Sequence, residues 1–134
     1  MSLSAEERTT MIQLYLEKAD KLLLELDGAR QLRMWSMAAN RMYYAMLNAL
    51  RALFVCDGHF AHTHSGMKTL LGLHYIFTGK ISENLGRLYS QMETLREKAD
   101  YDCYFDASEQ DVENAYDGAK EFVAVVKTLI AERK

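Results

Sequence analysis

Proline is missing altogether from the 134 residues. An all-β or α/β chain of this length normally places several prolines in its turns and loops, so the absence points to an all-α protein. Cysteine is scarce: Cys56 and Cys103 are the two present. The opening residues MSLSAEERTT are polar and lack the apolar stretch of a secretory signal. The two thiols are therefore expected to be reduced and the protein cytoplasmic. Basic excess is absent too, with 16 Lys and Arg against 19 Asp and Glu and a formal charge of −3. Any contact with RNA or DNA must then come from a local patch rather than from the whole surface. No linker, repeat or low-complexity segment divides the chain, and residues 1–134 are expected to form one domain.

What is present is dominated by Trp35 to Asp57, WSMAANRMYYAMLNALRALFVCD, which contains no Gly and is rich in good helix formers. It is apolar on nearly every side, yet too short and too punctuated to span a membrane, which places it at the centre of a helical core. Asn40, Arg41, Tyr44, Asn48 and Arg51 interrupt it along one narrow stripe. That stripe either faces water or lines a site. Arg41 and Arg51 are costly to bury unless paired, and the carboxylates between Asp100 and Asp106 are the expected partners.

Four further helices follow from pattern. Ser4-Ala5-Glu6-Glu7 reads as a capping box, and the apolar period after it runs to Asp27-Gly28, where the glycine is expected to end the first helix. A third helix starts at His64-Ser65-Gly66 and closes at Thr78-Gly79. A fourth is capped by Ser82 or Asn84 and runs to about Ala99 or Asp100, with Gly86 weakening its first turn. The last opens at Ser108 and carries Val112, Ala115, Tyr116, Ala119, Phe122, Val123, Val126 and Ile130 on one face. Five helices with mostly short connections imply an antiparallel up-and-down bundle.

Three constellations bear on chemistry. Cys56, His59, His62 and His64 are spaced like metal ligands, but no second ligand pair lies elsewhere, so they read as loop residues and neither a metal nor a cofactor is expected. His64-Ser65-Gly66 opens a helix, where free amides favour an anion such as phosphate. Arg96 sits in the last turn of the fourth helix, where it suits the helix dipole and can pair with Asp100.

The segments NRMYYAMLNALRALFVCDG, HSGMKTL and IFTGKISENLGRLYSQMETLREKADYD, in this order, resemble the HEPN family of small prokaryotic helical domains, in its stand-alone branch. The likeness covers roughly Ser4 to Ile130. It implies an antiparallel helical bundle, usually a homodimer, often encoded beside a minimal nucleotidyltransferase with which it forms a toxin-antitoxin pair. The ribonuclease branch carries Arg, four to six residues, then His, and works without metal. Arg96 matches that arginine, whereas the three positions open to the histidine hold Tyr101, Asp102 and Cys103. Tyrosine, with an ordinary pKa near ~10, is a poor base at neutral pH. The family's modifiable tyrosine falls by the same count at Cys103, with Tyr104 adjacent.

Three functions are compatible with these residues. The first is a nucleotide- or RNA-binding member of a nucleotidyltransferase/HEPN pair, with a groove lined by Arg41, Tyr44, His64, Ser65, Arg96, Asp100 and Tyr101. The second is a metal-independent endoribonuclease toxin in which Arg96 and Tyr101 lie at the degenerate motif and His64 substitutes for its histidine. The third is a dimeric assembly module whose ion pairs only fix the bundle.

Overall fold

The Ser4 hydroxyl accepts a hydrogen bond from the Glu7 amide at 3.0 Å, and the Glu7 carboxylate accepts one from the Ser4 amide at 2.9 Å. This reciprocal cap satisfies two of the free donors at a helix start. From it α1 runs over Ala5–Gln31 in the computed structural model, which describes residues 3–133. The expected stop at Gly28 does not occur. Arg30 holds the helix for one more turn, donating to Glu113 at 2.8 and 2.7 Å and lying 3.5 Å over the Tyr116 ring. The left-handed residue of the turn is instead Arg33, at φ 58°. Tertiary contact with the last helix here overrides a local glycine signal.

Helix α2, Trp35–Asp57, returns along α1 after a three-residue turn and packs against α1, α4 and α5. It buries 13 of its 23 residues, which makes it the centre of the core, as its composition demands. Gly58 closes it at φ 79°, a left-handed position that glycine takes without strain. Helix α3, His64–Leu71, is capped by Thr63, whose hydroxyl accepts from the Gly66 amide at 2.8 Å. It continues into a π-helical turn over Gly72–Ile76. Ser82 then caps α4, Glu83–Tyr101, and Ser108 with Asp111 forms the capping box of α5, Glu109–Glu132.

Gly86, read from the sequence as a weakness, marks a close approach. A Cβ there would lie 2.7 Å from Ile76 Cδ1, so the glycine lets the π-helical turn press onto α4. At the far end of α2, Asp57 accepts from Arg133 at 2.7 and 3.0 Å and from the Tyr75 hydroxyl at 2.6 Å. One carboxylate thus joins α2, the π-helical turn and the end of α5. The fold is the all-α bundle of five helices anticipated from sequence; among the described residues there is no strand, and no helix is long and apolar enough to cross a membrane.

Candidate functional site

Tyr89, Glu93 and Arg96 stand at i, i+4 and i+7 of α4, a spacing that sets them on one helical face. All three are buried, Arg96 with 4% of its surface exposed. Its guanidinium carbon lies 5.1 Å from the centre of the Tyr43 ring, 5.6 Å from that of Tyr44 and 5.9 Å from that of Tyr101. The nearest carboxylate is Asp100, whose Oδ2 is 3.7 Å from Nη1, beyond hydrogen-bond length. Arg96 Nε has no hydrogen-bond partner among the described residues, and neither do Glu93 Oε2 and the Tyr89 hydroxyl. Lys68 approaches Glu93 at 3.8 Å. Burial works to lower the Arg96 pKa, but Tyr44, Tyr43, Asp100 and Tyr101 outweigh it and the net direction is up. Arg96 is a firmly charged, desolvated cation with a vacant donor.

His64 reaches the same place from another element. As the first residue of α3 it sets its ring 5.7 Å from that of Tyr43, with Nδ1 only 2.6 Å from the Tyr43 hydroxyl oxygen. Tyr43 therefore touches both His64 and Arg96. Burial pushes its phenol up to about 12, so it keeps its proton throughout the physiological range. Tyr89 packs on it at 5.6 Å between ring centres, and burial raises that phenol further still.

The polar stripe of α2 divides. Tyr44 joins the Arg96 cluster, and Asn48 is buried with its amide donating to the Tyr44 carbonyl at 2.8 Å. Arg51 is exposed. Arg41 does not pair with the Asp100 to Asp106 carboxylates, as its position suggested. It donates to Glu25 of α1 at 2.7 Å and to Asn40 at 2.8 Å, and Asn40 in turn donates to Asp100 at 3.3 Å. The hairpin turn at residues 32–34 brings α1 back beside α2, and so supplies a nearer carboxylate than the distant loop. Asp106 is taken by Ser36 at 2.5 Å.

Of the residues singled out in the sequence, Tyr44, Tyr101 and Asp100 gather around Arg96 and His64 joins them through Tyr43, while Arg41 stands two hydrogen bonds away from Asp100. Ser65 is exposed beside His64 in the first turn of α3. Tyr101 is the last residue of α4 rather than part of the following loop, and is 78% exposed. Tyr43, Tyr89, Glu93 and Lys68 were missed. Tyr43 reads as one more apolar residue of a core helix, although a buried tyrosine hydroxyl always raises the question of its partner. The 89-93-96 spacing was the visible signal for the other α4 residues. No group of three or more potential metal ligands occurs among the described residues.

Comparison with known proteins yields a consistent set of likenesses. The family model described as HEPN domain matches residues 12–129. A protein of Thermotoga maritima named UPF0332 protein is 30% identical over 97 residues, covering 72% of this chain and 74% of its own. Two proteins of Methanocaldococcus jannaschii carry the names "Putative toxin MJ0605" and "Putative toxin MJ0142". The first is 28% identical over 121 residues, 90% of each chain, and the second 24% identical over 98 residues, 73% of this chain and 67% of the other.

Proposed function

Because this chain belongs to the HEPN family, we propose that it is a toxin-type HEPN protein whose Arg96 cluster binds an RNA or nucleotide phosphate. The observation that carries this reading is a guanidinium almost wholly removed from water yet left with an unpartnered Nε and no carboxylate in hydrogen-bond contact. Such a cation is poorly compensated by the protein alone, and a phosphate oxygen would supply what is missing once a side-chain shift bares the buried Nε. Two neighbours favour the same ligand. The first turn of α3, at His64 and Ser65, offers amide donors at the positive end of a helix dipole. Tyr101, exposed beside Arg96, offers an aromatic face on which an unpaired base can stack.

In this reading the protein acts as a homodimer alongside a minimal nucleotidyltransferase, as the family resemblance implies, and Arg41 and Asp100 tune the site through Asn40. Titration of the purified protein with AMP, ATP and short oligoribonucleotides tests the binding. Amide shifts should concentrate at His64, Ser65, Tyr101 and the end of α4. A spectrum unchanged by every one of these ligands would overturn the proposal.

A second reading, metal-independent RNA cleavage, is favoured by one specific contact pattern: His64 and Arg96 both adjoin Tyr43 although they lie 32 positions apart in sequence. Histidine is suited to proton transfer near neutral pH and arginine to stabilising charge on a phosphodiester. Cleavage that survives His64→Ala and Arg96→Ala at the wild-type rate would remove this reading.

A further inference from the structure

The phosphate-site reading leaves open what His64 presents to a ligand, and the geometry of its other nitrogen answers that. We propose that Tyr43 is a positioning residue that holds neutral His64 in the tautomer protonated on Nε2, so the ring offers a ligand an N–H donor and not a lone pair.

The contact is short, 2.6 Å between the Tyr43 oxygen and Nδ1, and either atom can in principle be the donor. A phenol has a single proton. Among the described residues the Tyr43 hydroxyl has His64 Nδ1 as its close hydrogen-bond partner, and the other hydroxyl beside it is that of Tyr89, which is buried and has no other partner. A Tyr43 proton turned towards Tyr89 would strand the Tyr89 proton, whereas Tyr89 donating to the Tyr43 oxygen leaves the Tyr43 proton for Nδ1. The proton stays on oxygen, since burial makes the phenolate unfavourable. Nδ1 then accepts, and a neutral imidazole whose Nδ1 accepts carries its own proton on Nε2.

The consequence concerns the character of the whole cluster. Arg96 and Lys68 donate only, and a neutral His64 locked in this way donates as well, against the carboxylates of Glu93 and Asp100. Fixing His64 as a donor tips this balance towards an anion. The cluster is poorly furnished for general-base catalysis, which needs the free lone pair at Nε2. The two functional readings above therefore differ in the state of one proton, and Tyr43 places that proton on the binding side.

The measurement is a two-bond 1H–15N correlation spectrum of protein labelled with [15N]histidine, recorded in alkaline buffer where imidazole rings are neutral, with His64 assigned from His64→Gln. The expected pattern for His64 has a pyridine-type Nδ1 and a pyrrole-type Nε2. Tyr43→Phe, which keeps the ring and removes the donor, should convert this to a mixture of tautomers with helical content unchanged. A pyrrole-type Nδ1 in the wild type, or a wild-type pattern retained in Tyr43→Phe, would overturn the proposal. Should Tyr43→Phe fail to fold, the wild-type pattern alone decides. The outcome is separable from the phosphate reading. If the Nε2–H tautomer is present but no His64 shift follows an added oligoribonucleotide, the ligand assignment falls and the role of Tyr43 stands.

Discussion

Arg96→Met is the substitution that separates a binding site from a structural ion-pair network. The wild-type residue gives up most of its hydration, which costs several kcal/mol for a buried ion. Against that stand three cation–π contacts at 5.1, 5.6 and 5.9 Å, near the outer limit of about 6 Å, together about 2 kcal/mol. Asp100 adds little, because it is 3.7 Å away and its side chain keeps 31% of its surface in water. Nor is Asp100 stranded by the change, since Asn40 still donates to it. Methionine fills a similar volume without the desolvation cost. The variant should thus fall within about 1 kcal/mol of wild type in urea unfolding followed by circular dichroism, a shift of no more than about 5 °C in Tm. Oligoribonucleotide affinity measured by fluorescence anisotropy should drop about tenfold or more, the worth of one charge-assisted hydrogen bond. A loss of stability above about 3 kcal/mol, the signature of a broken buried pair, would refute this reasoning and make Arg96 a structural clasp.

Two other consequences are open to direct measurement. At Asp57, burial would raise the carboxyl pKa, but hydrogen bonds from Arg133 and Tyr75 outweigh it and hold the group below the usual carboxylate range. Its stabilising contribution is therefore present above the unfolded pKa of about 3.9 and is lost as pH falls through the folded value. Asp57→Asn should cost about 2 kcal/mol at neutral pH and make the acid limb of the stability profile shallower, as read by urea midpoints between neutrality and pH ~3. The glycines of α4 and α5 should respond unequally to alanine. At Gly118 the new Cβ meets only the terminal Cδ2 of Leu88 closely, a half-buried side chain that can swing away, so Gly118→Ala should gain about 0.5 kcal/mol from helix propensity. At Gly86 it meets both Cδ1 and Cγ1 of Ile76, at 2.7 and 3.2 Å, and Gly86→Ala should lose about 1 kcal/mol by thermal melting.

Helix content and order were legible because they rest on short-range signals that the structure honours: the boxes at Ser4 and Ser108, the cap at Ser82, Gly58 after α2, and the apolar period of α5. The errors arose where a distant element decided. Gly28 ends nothing because Glu113 and Tyr116, far along the chain, hold Arg30 in helical conformation. Arg41 finds Glu25 because the hairpin returns α1 to its side, a neighbour no spacing along α2 discloses. The site was half visible. Arg96, His64 and Tyr101 are conspicuous as polar residues near helix ends, and the family pattern directs attention to them. Tyr43 was hidden, since a tyrosine among alanines and methionines in a core helix reads as bulk, and only the approach of α3 gives its oxygen a partner.

The turn at Gly72–Ile76 is an α-helix carrying one residue too many, its excess absorbed by the bond from the Phe77 amide to the Gly72 carbonyl at 2.8 Å. Deleting a single residue there would restore ordinary pairing, and the displacement would fall on the turn itself, whose side chains would take new directions about the helix axis. Ile76 would leave the notch at Gly86, and Tyr75 would swing away from Asp57. The extra residue between the Thr63 and Ser82 caps is therefore what aims Tyr75 at Asp57 and Ile76 at Gly86. A chain without that residue would have to find another anchor for the buried end of α2.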